Sequence, residues 1–268
     1  MKKIFLTFAD SRWGASLSRI SSQANECNVY DKIIAATELN LDADFRNKFA
    51  AWLRPKTRGF GYWSWKPQII LQTLQTMEDG DILQYTDAGC HLNPQGRTRL
   101  LEYFNLANTT SNGIIAFQNK IPEAPFLYDG RCLPVWPDKD WTKGDLLDHF
   151  QVRNRPDIID TPGVTGTIIF IQKNKFTVDF ITKWLNVIKL DFSLIDDTPS
   201  KSTNTDSFIE HRHDQSIFSL LCKLNNIETV SSFEYWYPLN YQPGKTKIIA
   251  DWESLANYPI HAKRDRNS

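Results

Sequence analysis

The acidic turn Asp87-Ala88-Gly89 is the first place in the sequence where residue type and position could do chemistry. It directly follows residues 81–86, whose apolar centre predicts a buried strand. Ligands of α/β sheets bind beyond the carboxyl ends of the strands, and carboxylate oxygens there can hold Mg²⁺ or Mn²⁺. Gly89 stands where a second carboxylate would complete an Asp-x-Asp pair, and it would let the backbone approach a phosphate closely. The alternative is an Asp-containing turn that only caps the strand.

A second candidate is Arg212-His213-Asp214-Gln215, at the start of a predicted helix over residues 213–224. Backbone N–H groups at a helix N-terminus favour anionic partners, and polar side chains there face solvent or a cleft. Asp214 could accept hydrogen bonds from sugar hydroxyls, and Gln215 could lie near a reacting carbon. The alternative is that Asp214 is only a favourable first-turn carboxylate.

The string Tyr62-Trp63-Ser64-Trp65-Lys66-Pro67 is the third candidate. Indole faces such as those of Trp63 and Trp65 can stack on sugars, and Lys66 can offer a point charge to phosphate. The alternative is an aromatic plug at a helix entry, with a lysine that extends its charged end into water.

The C-terminal segment supplies a fourth candidate, in which His261 precedes Lys263 and Arg264. The imidazole could complete a metal site with Asp87, and the basic side chains could hold a diphosphate. The alternative is a disordered polar tail.

These candidates must be positioned by the alternating strand-like and helix-like patterns of the chain, which predict an α/β fold with a mostly parallel central sheet flanked by helices. We expect a single domain over residues 1–268, with an irregular tail from about 241. The predicted strands cover residues 4–8, 32–36, 81–86, 113–117 and 166–172. The predicted helices cover residues 17–27, 42–52, 67–77, 95–107, 175–188 and 213–224. Residues 119–140 are predicted to form a long ordered loop and residues 196–206 a mobile one.

Composition excludes several classes of protein. Lys plus Arg and Asp plus Glu number 31 each, so no global field attracts nucleic acid. The four cysteines form no CxxC pair, which argues against a structural zinc or a disulfide framework and fits a reducing compartment. No apolar run approaches the ~20 residues of a spanning helix. We therefore expect a cytoplasmic protein, with peripheral contact at the inner membrane left open. The chain also has no P-loop and no G-x-S-x-G motif.

The order of these features resembles the GT-A glycosyltransferases of bacterial surface-polysaccharide synthesis (capsule, O-antigen and lipopolysaccharide). The layout is nearest to the retaining group that contains lipopolysaccharide galactosyltransferases and glycogenin. The segments that carry the resemblance are Asp10-Ser11-Arg12, Tyr85-Thr86-Asp87-Ala88-Gly89, the strand from Gly163 to Phe170, His213-Asp214-Gln215, and His261 with Lys263. Two departures are Gly89 in place of the second metal carboxylate, and Thr165 where that family has Asn, Ser or Ala before its strand glycine.

The resemblance implies transfer of a hexose from a nucleoside diphosphate sugar, expected to be UDP-linked, to a saccharide or lipid-linked saccharide. It assigns a divalent metal, Mn²⁺ or Mg²⁺, to Asp87 and His261. It further assigns Asp10 and Arg12 to the nucleotide, Lys66, Lys263 and Arg264 to the phosphates, Trp63, Trp65, Gly166, Thr167 and His213 to the sugars, and catalysis to Asp214 and Gln215.

The stereochemistry of the transfer sets which group takes the proton of the acceptor. In a retaining enzyme, the reading that the resemblance favours, the leaving phosphate accepts this proton. In an inverting enzyme Asp214 would serve as the base. A carbohydrate-binding protein without catalysis, or a degenerate transferase acting as a partner subunit, are the alternatives; the oligomeric state is left open.

Overall fold

The computed structural model describes residues 1–122, 128–243 and 248–265, and its centre is a six-stranded sheet in the order β2-β1-β3-β6-β5-β7. A separate two-stranded ladder pairs β4 with β8. The strands are β1 (Lys3–Phe8), β2 (Lys32–Ala36), β3 (Ile82–Thr86), β4 (His91–Leu92), β5 (Ile114–Gln118), β6 (Val164–Gln172), β7 (Glu228–Ser231) and β8 (Ile260–His261).

Strand β6 is antiparallel to both of its neighbours, whereas the other strands of the large sheet run parallel to one another. Thr86, the last residue of β3, pairs with Ile168, and Gln118, the last residue of β5, pairs with Val164. The N-terminal end of β6 therefore lies at the same edge of the sheet as the carboxyl ends of β3 and β5. This edge is where α/β sheets bind ligands.

Helices cover both faces of the sheet. They are α1 (Gly14–Cys27), α2 (Ala43–Lys48), α3 (Gly59–Tyr62), α4 (Trp65–Gln75), α5 (Arg97–Thr109), α6 (Asp138–Trp141), α7 (Gly144–His149), α8 (Pro156–Ile159), α9 (Lys175–Leu190) and α10 (Asp214–Leu224). Side chains alternate between the two faces along each strand. Leu83 of β3 accordingly joins the core beneath α4, α9 and α10, whereas Ile82 joins the core beneath α1 and α5.

The α/β fold class with a mostly parallel sheet flanked by helices is confirmed by this topology. Strand β2 has the predicted bounds, and the other predicted strands are shifted by one or two residues at their ends. The helix predicted over residues 42–52 ends at Lys48, and β7 and the short helices α6 to α8 escaped prediction. These short elements carry too few residues for a clear hydrophobic period.

The C-terminal segment contains β8, in which His261 pairs with His91 and Ile260 with Leu92. Ile260, His261 and Ala262 are buried. The end of the described chain is thus packed against the turn that follows β3.

No described helix is both long and apolar enough to cross a membrane. Cys27, Cys90 and Cys222 are buried free thiols, and Cys132 is an exposed one.

Candidate active site

A cavity of about 500 Å³ opens at the edge of the sheet where β3, β5 and β7 end and β6 begins. The turn after β3, the first residues of β6 and the first turns of α4 and α10 all contribute side chains to it. Its lining includes Arg58, Trp63, Lys66, Asp87, Asn119, Trp136, Asp138, Trp141, Thr165, Gly166, Thr167, Arg212, His213, Asp214, Gln215, Tyr235, Trp236 and Arg264.

The ammonium of Lys66 lies between two carboxylates in the wall of this cavity. Its Nζ is 2.9 Å from Asp214 Oδ2 and 3.3 Å from Asp87 Oδ1, and it donates a hydrogen bond of 3.0 Å to the Gly166 carbonyl. Lys66 is only 3% exposed. The ammonium is thus in one hydrogen bond and two ion pairs with the protein itself. Lys66 therefore binds protein acceptors, whereas the sequence assigned it to a phosphate.

Burial alone would lower the pKa of Lys66, but Asp214 and Asp87 together raise it above its ordinary value. Asp214 is 3% exposed, and burial raises its pKa to about 6, against the opposing effect of Lys66. Asp87 adds to the increase through its negative charge. Asp214 is therefore mostly ionised at neutral pH and becomes protonated in mildly acidic solution.

Asp87 is fixed by hydrogen bonds to residues of the sheet strands β3 and β6. Tyr85 O–H donates to Asp87 Oδ1 at 2.7 Å, and the Asp87 backbone N–H donates to the Thr167 carbonyl at 3.0 Å. Its side chain remains 27% exposed. A Cβ on Gly89 would lie 3.4 Å from the Arg264 Cα, and the Asp265 N–H donates to the Gly89 carbonyl. The close approach at Gly89 is thus made by the chain's own C-terminal segment, where the sequence predicted a phosphate.

A left-handed turn brings Trp63 and Lys66 to the cavity. Every residue from Gly59 to Trp63 has a positive φ, and the Trp63 N–H donates to the Gly59 carbonyl. Such backbone costs about 1–2 kcal/mol per residue for residues other than glycine. Strain of this kind is concentrated at functional sites, where surrounding packing holds it in place.

His213 precedes α10 with φ 54° and ψ −123°, a second strained position. Its ring is 5.5 Å from that of Trp63, between centroids, so the two strained segments meet. Burial lowers the pKa of His213, and the ring is therefore neutral at neutral pH. Nδ1 lies 2.8 Å from the Ile195 carbonyl, which can only accept, so Nδ1 carries the proton. Nε2 is then a buried acceptor, and no donor among the described residues reaches it.

Aromatic and basic side chains form the rest of the lining. Trp136 and Trp236 lie 5.8 Å apart between ring centroids. The Arg212 guanidinium lies 4.1 Å above the ring of Trp141. Arg264 is exposed and also lines the cavity. The cavity therefore offers flat apolar faces next to positive charges.

The structure brings together most of the residues that the sequence singled out. Those that line the cavity are Trp63, Lys66, Asp87, Gly166, Thr167, His213, Asp214, Gln215 and Arg264. They come from positions up to 201 residues apart (264 − 63) and meet because β3, β6 and the two helix starts share one edge of the sheet.

Five predicted residues do not line this cavity. Asp10 and Arg12 pair with each other, with Arg12 Nε 2.6 Å from Asp10 Oδ1. Trp65 stacks on Phe8 in the core, and its indole N–H donates to the Gly59 carbonyl. Lys263 Nζ lies 5.7 Å from the centre of the Trp252 ring. The fifth residue is His261.

The predicted metal pair of Asp87 and His261 is not assembled. His261 Nε2 lies 2.8 Å from the Leu255 carbonyl oxygen, and the His261 ring lies 5.7 Å from the Trp252 ring between centroids. Within the described ranges, no three His, Cys, Asp or Glu side chains are grouped closely enough to hold a metal ion. Next to Asp87 the nearest cation is the Lys66 ammonium. This set of groups does not fit a divalent metal, because the Lys66 ammonium already lies between Asp87 and Asp214, the two carboxylates that could bind one.

Several cavity residues escaped the sequence prediction. Trp136, Trp141 and Trp236 lie in or next to irregular segments, where no periodicity marks a face. Asp138 is buried and pairs with Lys223 at 2.7 Å, and it accepts a hydrogen bond from Ser219. The nine tryptophans of the chain were the one available signal, because aromatic side chains either enlarge a core or line a groove for a flat ligand.

No protein-family model and no curated protein sequence matches the chain. Among solved structures, it is similar to a glycosyltransferase involved in glycosylation of the major capsid of PBCV-1 (10% identity, TM-score 0.42, covering 97% of this chain and 92% of that one). It is also similar to mouse xyloside xylosyltransferase 1 (11%, 0.43, 87% and 73%). A third similar structure is the galactosyltransferase LgtC in complex with donor and acceptor sugar analogs (10%, 0.44, 97% and 86%). At these identities and scores, the functional argument depends on the geometry of the cavity itself.

Proposed function

We propose that this protein is a glycosyltransferase that moves a hexose from a nucleoside diphosphate sugar, with UDP as the expected nucleotide, to a hydroxyl of a saccharide or lipid-linked saccharide. The observation that carries the proposal is the buried Lys66–Asp214 pair, with Asp87 beside it, in the wall of an aromatic and basic cavity. The pathway expected from the sequence is assembly of a bacterial surface polysaccharide.

Asp214 is the group best suited to take a proton from the acceptor. Its pKa of about 6 makes it ionised at neutral pH and still basic enough to bind a proton. In this step the acceptor oxygen loses its proton to Asp214 and bonds to the anomeric carbon. The bond from that carbon to the donor oxygen breaks, and the diphosphate leaves with the electron pair. Gln215, next in the chain and also in the lining, would orient the donor sugar.

This role for Asp214 favours inversion at the anomeric carbon, whereas the resemblance of the sequence favours retention. The anomeric configuration of the product, read by proton NMR, separates the two mechanisms. Retention would make Asp214 a residue that positions the sugar, because the leaving phosphate would then take the proton.

Positive charge for the diphosphate is available without Lys66. Arg58, Arg212 and Arg264 all line the cavity, and Arg58 and Arg212 share the Glu210 carboxylate as a partner. Guanidinium groups bind phosphate oxygens in a bidentate manner and stay charged. Arg212 is also partly buried and stacked on Trp141, which fixes its orientation. We propose that this arginine group binds the phosphates of the donor.

Sugars and bases would bind against the tryptophans. The faces of Trp63, Trp136 and Trp236 contribute flat apolar surface to the cavity. His213 Nε2 lies 3.7 Å from Asp197 Oδ1 and has no hydrogen-bond donor among the described residues, so it can accept a hydrogen bond from a sugar hydroxyl.

The test is a thermal-shift panel of UDP-, GDP- and CMP-sugars. A ligand at ~100 times its dissociation constant stabilises by about 2.7 kcal/mol, which raises Tm by roughly 5–10 °C in a chain of this size. We expect one nucleotide family to produce this shift and to support sugar transfer to an acceptor. Asp214→Asn should retain the shift and lose the transfer. If no nucleotide changes Tm, the donor assignment is refuted.

A non-catalytic carbohydrate-binding protein is the second candidate, and the aromatic lining favours it. It predicts that free saccharides raise Tm whereas nucleotides have no effect. A degenerate transferase would bind the nucleotide and show no turnover with any donor.

A further inference from the structure

The cavity contains a protein cation at the place where the resemblance to metal-dependent transferases puts a divalent ion. Lys66 Nζ is within 3.3 Å of Asp87 and within 2.9 Å of Asp214, the two carboxylates of this part of the cavity. We infer that Lys66 is the built-in cation of this site, and that the Asp87–Asp214 pair binds no divalent metal. This inference depends on the proposed function only for its consequence, which is donor binding without metal.

The coordination available at Asp87 supports the inference. Its Oδ1 already accepts the Tyr85 hydroxyl at 2.7 Å and contacts Lys66. Divalent cations such as Mg²⁺ need about six oxygen ligands, of which protein carboxylates supply one or two in nucleotide sites. Asp87 therefore has one oxygen left to coordinate a metal, and Asp214 Oδ2 is in contact with the Lys66 ammonium. A divalent ion would have to displace a buried positive charge to reach both carboxylates.

Charge balance leads to the same conclusion. Two carboxylates and one ammonium leave a single negative charge at the site, and Lys66 cannot move out of it without losing three acceptors. Arg58, Arg212 and Arg264 also line the cavity and carry more positive charge than the Glu210 carboxylate, which pairs with Arg58 and Arg212, can neutralise. A divalent cation would be repelled by these groups. A diphosphate anion, by contrast, would be attracted.

The backbone fixes the lysine in place. The left-handed turn from Gly59 to Trp63 leads directly into α4, and Lys66 lies in the first turn of that helix. On the opposite side, a Cβ on Gly166 would lie 3.6 Å from Lys66 Nζ and 3.6 Å from Asp214 Oδ2. The glycine thus lets the β6 backbone pack closely against the ion pair. Lys66 acts through the two carboxylates, so it is a positioning residue in the proposed reaction.

The first experiment titrates the purified wild-type protein with Mn²⁺ alone, followed by the EPR signal of the free aqueous ion. We expect no stoichiometric uptake at millimolar Mn²⁺. Uptake of one equivalent that disappears in Asp87→Asn would overturn the inference. This result does not depend on whether the protein transfers a sugar.

The second experiment uses Lys66→Met, which removes the charge and keeps most of the side-chain length. With the ammonium gone, a metal ion can take its place between the two carboxyl groups and release the proton from Asp214, and we expect at least tenfold tighter Mn²⁺ binding than in the wild type at pH 8. The double variant Lys66→Met/Asp87→Asn should lose this binding. A folded Lys66→Met, verified by circular dichroism, that binds Mn²⁺ no better than the wild type would show that the lysine does not exclude the metal. If Lys66→Met does not fold, the wild-type titration decides.

The third experiment links the site to the donor. Binding of the nucleotide found in the thermal-shift panel is measured calorimetrically in EDTA and in Mn²⁺. We expect dissociation constants that agree within a factor of two. A tenfold or greater improvement with Mn²⁺ that requires Asp87 would overturn the inference. Absence of any nucleotide binding would instead refute the proposed function, and the Mn²⁺ titrations would still decide the inference.

Discussion

Removal of the buried lysine gives the sharpest test of the electrostatics of the site. In the variant Lys66→Met, Asp214 loses the group that lowers its pKa, whereas burial and the charge of Asp87 continue to raise it. The folded-state pKa of Asp214 is about 6, against 3.8 for an unperturbed carboxyl, and it must rise further in the variant. The cost of the substitution should therefore depend on pH.

The direction in which stability changes with pH follows from proton binding by Asp214. Because the folded protein binds this proton more tightly than the unfolded chain, stability decreases as pH rises from about 4 to about 6, and above that range the wild type shows no further change from Asp214. In the variant the decrease continues to higher pH, because the carboxyl stays protonated in the folded state. The decrease in stability has a slope of 1.36 kcal/mol per pH unit, so its continuation over two further units, from pH 6 to pH 8, amounts to about 3 kcal/mol. At pH 5 the carboxyl is mostly protonated in both folded proteins, so this contribution is close to zero.

We therefore expect the loss of unfolding free energy in Lys66→Met to be about 3 kcal/mol larger at pH 8 than at pH 5. Urea denaturation at the two pH values measures it, with the m-value as a check on two-state behaviour. Contributions that do not depend on pH, such as the changed packing of the side chain, cancel in this difference. In the double variant Lys66→Met/Asp214→Asn the difference should largely vanish.

Lys175→Met is the matched control. Lys175 also lies near an aspartate, with Nζ 2.8 Å from Asp179 Oδ2, but the pair is exposed. Because an exposed ion pair is screened by solvent, its removal should change stability little and equally at both pH values. If Lys66→Met loses the same stability at pH 5 and pH 8, within about 1 kcal/mol, the account of a buried Asp214 held ionised by Lys66 is refuted.

Three further predictions concern activity and shape. Because the proposed base is ionised Asp214, kcat/KM for transfer should rise with pH to a plateau, with a midpoint near the Asp214 pKa of about 6. Asp87→Asn removes a negative charge beside Asp214 and should move this midpoint to lower pH. A profile that is flat from pH 5 to 8 would contradict this role of Asp214. Gly166→Ala places a methyl group 3.6 Å from Lys66 Nζ without a clash, so the protein should fold normally. Calorimetry should nevertheless show donor binding weakened by about tenfold. Unchanged affinity would argue against a donor sugar at β6. Gly59→Ala puts a Cβ 2.4 Å from the Trp63 ring, whereas Gly80→Ala, also at positive φ, meets nothing within 4 Å. The Gly80 variant should lose about 1 kcal/mol and the Gly59 variant clearly more, together with donor affinity, and equal losses in urea denaturation would count against the left-handed turn.

The sequence alone determined the parts of the protein that depend on local pattern. Strand β2 was predicted with its observed bounds, and the buried strands β3 and β6 were predicted to within two residues. Short-range hydrophobic periodicity and turn residues carry this information. The same local patterns predicted that Asp87 follows a buried strand and that Asp214 lies at the start of a helix. The α/β fold class followed from the order of these elements.

Tertiary structure alone decided which of these side chains meet. The antiparallel direction of β6 places Gly166 beside the end of β3, and no local pattern in a fully buried strand encodes its direction. Lys66 was predicted to bind phosphate, but the fold surrounds it with Asp87, Asp214 and a backbone carbonyl. His261 was predicted as a metal ligand, but the fold directs its Nε2 to the Leu255 carbonyl. The direction of a side chain and its partners depend on packing between elements that are distant in sequence, and that information is absent from spacing along the chain.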